Sequence, residues 1–368
     1  APVFKAESFY RRWIESEGIP IYGGFHIESL SSLELKPWAR MGGKGAYVVL
    51  DGMEGTDDAF VLEIGPGKET NPERHTFEEI VYVLSGKGES VVWQNRKAKQ
   101  EFAWQEGTLF AVPLNAWHQY RNLGSSPARL VGVTTAPVVL DLYHNVDFVF
   151  NNDFSFRERY DGEPDYFKRS RWFRYEGLKG VDPDDLSSIE PSVVPDIRQS
   201  EVKPFPRGFG NSYAFLQMAD NAMAPHIGAF DVGVYGKAHR HGPGSIIIIV
   251  EGEGHSLVWT GDIHYSKGNP HHRVDWKVGS MFVPPLYYFH QHFNTGESRG
   301  RFVAIGWIGR KYRVDGLGTE THVRPVTHVR EGGNQIDYED EDPLVRKMFE
   351  DELSKSGVES RMPPVKYR

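Results

Sequence analysis

The 368-residue chain has no cysteine. Disulfides, zinc–thiolate sites, iron–sulfur clusters and a thiol nucleophile are therefore excluded, and any metal must be held by His, Asp or Glu. A basic excess is also missing: 42 Lys and Arg stand against 50 Asp and Glu, for a net charge of −8. Nucleic acid and anionic membrane both need a basic face, so neither is an expected partner. No apolar run exceeds five residues, as in Ile246 to Val250, far short of the ~18 a membrane-spanning helix requires. Ala1-Pro2-Val3-Phe4-Lys5 shows no basic-then-apolar leader, which makes the cytoplasm the expected compartment. Gly208-Phe209-Gly210 is too short for a phosphate loop, and Gly244-Ser245 lacks the closing Gly of a serine-nucleophile elbow.

What is abundant is Gly (39) and Pro (23), which suits many short strands joined by turns. Ser8 followed by Phe9, Tyr10, Trp13 and Ile14 on one face predicts a helix over 8–17, stopped by Gly18. Residues 45–145 read as strands, in runs such as Ala46–Leu50, Ala59–Leu62, Ile80–Leu84, Ser90–Trp93 and Leu130–Val133. Residues 151–205 are charged, aromatic and Pro-bearing, an expected ordered connector. Strand patterning returns over 212–309. Asp342 and Pro343 then open a second helix, with Leu344, Val345, Met348, Phe349 and Leu353 as its apolar stripe and Gly357 as its stop. The acidic run Glu339 to Asp342 is expected to be its solvated entrance.

The strand regions repeat each other. Gly86-Lys87-Gly88-Glu89-Ser90-Val91-Val92-Trp93 matches Gly252-Glu253-Gly254-His255-Ser256-Leu257-Val258-Trp259 at an offset of 166. Gly107, Pro113, His118 and Asn122 match Gly279, Pro285, His290 and Asn294 at an offset of 172, so the second copy carries six extra residues between its motifs. Upstream, Gly67, Glu73, His75, Glu79 and Gly86 align with Gly233, His239, His241, Ser245 and Gly252. Two copies of one closed β unit explain the length, because closure removes exposed edges. These two framed motifs resemble those of the cupin family: Gly, His-x-His, Glu and Gly in the first, and Gly, Pro-x-Gly, His and Asn in the second. The resemblance implies an all-β chain with two tandem jelly-roll barrels and short helices at its ends. The expected units are 1–150, a first barrel with its leading helix; 151–205, the connector; 206–315, a metal-binding second barrel; and 316–368, a helical tail.

His239 and His241 lie two apart and share one face of a strand, and His290 arrives from the second motif. Nine of the 15 histidines fall between 226 and 292. Three imidazoles suit Fe(II), Mn(II), Ni(II) or Cu(II) and leave coordination positions open. Ser245 stands where the motif carries Glu, so a bound divalent ion would keep its full charge and favour an anionic bidentate chelator. His292, two past His290, is expected to face the same cavity, either as a catalytic proton-handling group or as a wall residue. His271-His272 reads as a solvated turn in the insert. Trp93, Trp117 and Trp259 read as packing. In the first copy Glu73, His75, Glu79 and His118 hold the metal positions as a possible second or vestigial site.

The stretch His239 to Ser245 with Ile246 to Gly252, and the run Phe289-His290-Gln291-His292, further resemble the gentisate 1,2-dioxygenase group. The resemblance implies a three-His iron site at His239, His241 and His290 and ring cleavage beside a hydroxyl and a carboxylate. Pro243 and Ile247 depart from that group, which favours salicylate-type substrates over gentisate. The expected function is an Fe(II)-dependent dioxygenase acting on a small ortho-hydroxy aromatic carboxylate with O2, with Mn, Ni, Cu or Zn as other candidate metals. A metal-dependent decarboxylase or isomerase and a non-enzymatic binding bicupin are the alternatives. A homo-oligomer, dimer or tetramer, is expected.

Overall fold

The computed structural model describes residues 7–53, 55–94, 97–242, 245–314, 317 and 326–368. Pro243 and Gly244, used in the motif above, lie outside the described residues, as do Ala1–Lys5. Each copy of the repeat pairs a large sheet with a small one. In the first copy the large sheet contains Gly43–Val48, Asp58–Ile64, Ala128–Thr134, Glu79–Ser85 and Leu109–Val112 in that spatial order. The small sheet sets Lys87–Trp93 between Trp117–Asn122 and Gln100–Gln105. The second copy repeats the plan. Ala224–Phe230, Gly300–Gly306, Ile246–Glu251 and Met281–Phe282 neighbour one another in its large sheet, and Glu253–Trp259 is flanked by His271–Lys277 and Phe289–Asn294 in its small one.

The repeated residues do the same work twice. Asn122 Nδ2 donates to the Ser126 carbonyl at 2.8 Å while Asn122 Oδ1 accepts from the Gly124 amide at 2.8 Å. Asn294 holds its own turn through Ser298 (2.9 Å) and Gly296 (3.2 Å). Gly88 and Gly254 leave no room for a side chain, since a Cβ on either would lie 2.0 Å from a carbonyl oxygen of the neighbouring strand.

Three apolar layers result. Tyr47, Phe60, Val81, Val83 and Phe110 fill the first barrel, and Phe230, Ile247, Ile249, Phe282 and Phe302 fill the second. Between the barrels, the outer faces of the two large sheets form one shared core of Val48, Val61, Ile80, Ile227, Ile246, Ile248 and Val303. This explains the unbroken run Ile246–Val250. Alternate side chains enter different cores, so neither face of the strand is polar. Glu78 adds a polar stitch, accepting from the backbone amides of Ala222 (3.0 Å) and Met223 (2.9 Å).

Flanking segments cross between copies. His26–Ile27 pairs with Met281–Phe282 of the second copy, and Val193–Val194 of the connector pairs with Leu109–Phe110 of the first. The connector holds only short strands and single 3-10 turns, at Tyr166–Lys168, Pro183–Asp185 and Ile197–Gln199.

Ser8 caps the helix Phe9–Ser16, accepting from the Arg11 amide. Asp342 caps Pro343–Ser356 through the Leu344 amide, and Gly357 ends it at φ +69°. No described helix is long and apolar enough to cross a membrane. Three local expectations need correction. Residues 136–143, read as part of the strand region, form a helix that opens on Ala136-Pro137, where Pro fits the first turn. His271-His272 begins a strand rather than sitting in a turn, because the insert loops out before it. The acidic run is not solvated: Asp340, Glu341 and Asp342 are buried, and Asp340 pairs with His328 and Arg330.

Candidate metal centre

His239 and His290 face each other across a narrow backbone bridge. The His239 amide donates to the His290 carbonyl at 3.0 Å and the reverse bond is 2.8 Å. Their ring centroids lie 4.2 Å apart, and His241 is 4.6 Å from His290. One nitrogen from each of the three lies within 4.8 Å of the other two. His239 and His241 lie not on a regular strand but on an extended segment that makes only isolated bridges, and its outer edge is held by the C-terminal segment, where Arg240 donates to the Asn334 carbonyl (3.0 Å) and Ile336 to the Ala238 carbonyl (2.8 Å). From the other side, Tyr287 donates to the His241 carbonyl at 3.0 Å from a left-handed backbone at φ +58°.

Each ligand ring is fixed through its Nδ1. His239 donates to the Lys237 carbonyl at 3.1 Å, His241 to Gly242 at 2.9 Å and His290 to Tyr288 at 3.1 Å. With Nδ1 carrying the proton, Nε2 keeps its lone pair, as a metal ligand must. Burial pushes His239 and His290 well down and His241 down to about 4, so all three are neutral. The donor set fits a divalent ion.

His292 is held the opposite way. Trp276 Nε1 donates to Ser256 Oγ at 3.0 Å, and Ser256 Oγ lies 2.7 Å from His292 Nδ1. Among the described contacts Nδ1 is the acceptor within reach of that hydroxyl's proton; when it accepts, the ring proton sits on Nε2 and His292 serves as a donor rather than a fourth ligand. Burial pushes its pKa down to about 3, which keeps it neutral.

The four histidines line one enclosed cavity. Phe205, Tyr213, Phe215, Ile247 and Phe302 form apolar walls, with Ser245 beside the ligands. The polar remainder is His226, Arg207 and Arg310. Among the described residues no carboxylate lines this cavity.

The first-copy cluster is built differently. Glu73, His75 and His118 also converge within 4.8 Å, but protein partners already engage Glu73 and His75. Glu73 is bound by the Arg40 guanidinium, which in turn bonds Glu17 at 2.7 Å. His75 Nε2 meets Glu79 at 3.0 Å, and Glu79 accepts from the Tyr120 hydroxyl at 2.6 Å. Burial favours the neutral Glu73 carboxyl, yet Arg40 and His118 outweigh it and hold the pKa at about 2.

Residues 60–134, within the first copy, match the cupin domain family, and the second copy repeats the sheet plan of the first. The fold is that of a bicupin. Its overall likeness runs to an oxalate decarboxylase mutant from Bacillus subtilis, 13% identical, covering 85% of this chain and 86% of that one at a TM-score of 0.50. The formate complex of the Lactobacillus farciminis oxalate decarboxylase is likewise 13% identical, covering 78% of this chain and 87% of that one at a TM-score of 0.50. At such identity the likeness is one of fold. A 5-aminosalicylate 1,2-dioxygenase from a Comamonas species is 38% identical over 77 residues, 21% of this chain and 19% of that one. The match thus spans about a fifth of that relative.

In this bicupin, sequence reading found the histidines but missed His226, Arg207 and Arg310. The available signal was a cation closing an apolar run: Arg310 follows Phe302 to Ile308, and Arg207 follows Phe205-Pro206. Leu178 and Phe205 of the connector line the cavity as well, and so does Arg207, just past the connector.

The buried imidazoles predict a pH response of the metal-free bicupin. Their folded pKa values lie below the unfolded value, so the unfolded chain binds the extra protons as pH falls. Their contribution is whole above about 6.5 and is lost as pH drops toward the folded value, near 4 for His241. Each still-neutral histidine should cost about 1.4 kcal/mol per pH unit. Denaturant melts of the metal-free protein at pH 7.5 and 5.5 should show this loss, and added metal should reduce it.

Proposed function

We propose that the bicupin is a non-haem Fe(II)-dependent dioxygenase that cleaves a small hydroxylated aromatic carboxylate of the salicylate type. The observation that carries this reading is the donor set. Three neutral histidines aim Nε2 into an aromatic-walled cavity that has no described carboxylate but holds guanidinium groups. Iron bound there would supply the Lewis acidity and one-electron chemistry that O2 needs to react with a closed-shell substrate. His239, His241 and His290 would hold the ion and leave the rest of its coordination to a chelating substrate and oxygen.

The chain's own residues do the rest. Phe205, Phe215 and Phe302 hold an aromatic ring and exclude water. Arg207 carries the charge that faces a substrate carboxylate, and no described side chain forms an ion pair with it. Burial lowers its pKa to about 10, so it stays cationic at neutral pH. His292 Nε2–H donates to an oxygen of the chelating group, and its tautomer is set by Ser256 and Trp276. The short match to a 5-aminosalicylate dioxygenase agrees with this substrate class.

The test is oxygen consumption by Fe(II)-loaded protein on a panel of hydroxybenzoates. One O2 should disappear per substrate, with both oxygen atoms in the ring-opened product. Equal turnover under strict anaerobiosis would replace this reading with a decarboxylase or isomerase.

A further inference from the structure

The cavity has more positive charge than a salicylate-type ligand can neutralise. A hydroxybenzoate bound as a dianion balances a divalent ion held by neutral histidines. Two guanidiniums remain, Arg207 and Arg310, both lining the cavity. Among the described residues neither has a carboxylate partner. Uncompensated cations in an enclosed site are costly unless a ligand supplies the counter-charge.

The two arginines are differently placed. Arg207 bears electrostatically on His239, His241, His290 and His292. Arg310 bears on His226, which also feels His241, Arg207 and His292, but not on the other four histidines of the site. It lies over two rings, 4.4 Å from the centroid of Phe215 and 4.8 Å from that of Tyr175. Its backbone amide is fixed by Gln217 Oε1 at 2.8 Å. Stacking holds the guanidinium plane and Tyr175 takes one hydrogen bond from it, which leaves the remaining edge donors for a planar anion. His226 lies on the strand Ala224–Phe230, and its buried Nδ1 has no hydrogen-bond partner. A fixed cation and an unused imidazole nitrogen thus line the same cavity, on elements other than those that carry the ligand histidines.

We infer that Arg310 and His226 form a second anion subsite, and that the preferred substrate is a hydroxyaromatic dicarboxylate: one carboxylate chelates beside the ortho hydroxyl, and the other is received by Arg310 and His226. This rests on the proposed site reading for the chelating end only. Arg310 sets specificity, and His226 completes the recognition by a hydrogen bond.

The experiment is anaerobic calorimetric titration of the Fe(II)-loaded protein, which reads binding independently of turnover. The probes are salicylate, 2-hydroxyterephthalate and 4-hydroxyisophthalate, which place the second carboxylate at two different ring positions. At least one dicarboxylate should bind roughly tenfold or more tightly than salicylate. Arg310→Met should bring that ratio close to one, and Arg310→Lys should restore part of it; thermal melts confirm that both variants fold. Dicarboxylates that bind no tighter than salicylate overturn the inference, as does a preference that survives Arg310→Met or a protein that binds none of the three. A clear dicarboxylate preference without oxygen uptake would instead retain the subsite and discard the dioxygenase reading.

Discussion

Converting His290 to alanine is expected to strip the metal from the protein while the second barrel stays folded. His290 is 1% exposed and faces His239 across the backbone bridge, so its loss removes one of three ligands. The backbone bonds between the two segments are untouched by the change. Loss of an outer-shell partner typically weakens a site by about 10–100-fold, and loss of a ligand should exceed that. Substrate-dependent oxygen uptake should fall to background. Elemental analysis beside a thermal melt checks both halves of the expectation. Metal that persists in His290→Ala but vanishes in His118→Ala would move the centre to the first copy.

Ser245→Glu should leave the metal in place and still cut oxygen uptake by about tenfold or more, some 1.4 kcal/mol of barrier. The molecule contains its own control for this substitution. Glu79 occupies the matching position in the first copy, and its Oε2 lies 3.0 Å from Nε2 of His75, the counterpart of His241. A glutamate at 245 should reach the same place, fill one of the three open positions and halve the net charge of the centre. Ser245 is 4% exposed, so space is the competing concern. A loss of melting temperature together with metal would show that the longer side chain does not fit. A stable, metal-loaded variant with full oxygen uptake would show that the activity does not depend on an open three-histidine geometry.

Much of this was legible in the chain because the repeat doubles every signal. A glycine or asparagine that recurs at a fixed offset marks the same turn twice, as Asn122 and Asn294 do. The histidines were legible because two that are two residues apart and one that the repeat sets opposite them leave few ways to converge. The arginines were not, since a cation looks alike in sequence whether it is solvated or enclosed, and only tertiary packing separates Arg310 from Lys311 beside it. The acidic run before the last helix misled for the same reason. Four carboxylates in a row suggest water, yet Glu341 accepts from Tyr235 and Gln291, and burial raises its pKa to about 7.

The stitching of the flanking segments has a consequence for biogenesis. During synthesis His26 and Ile27 emerge early, but their partners Phe282 and Met281 emerge some 255 residues later. The edge at His239 is covered only when Asn334 and Ile336 arrive. Pairing across such sequence distances is slow, since the loop must close before the contact rewards it. The segment that carries His239 and His241 is thus among the last parts of the molecule to be locked, and the incomplete second barrel is the stage at which a chaperone would have most to protect.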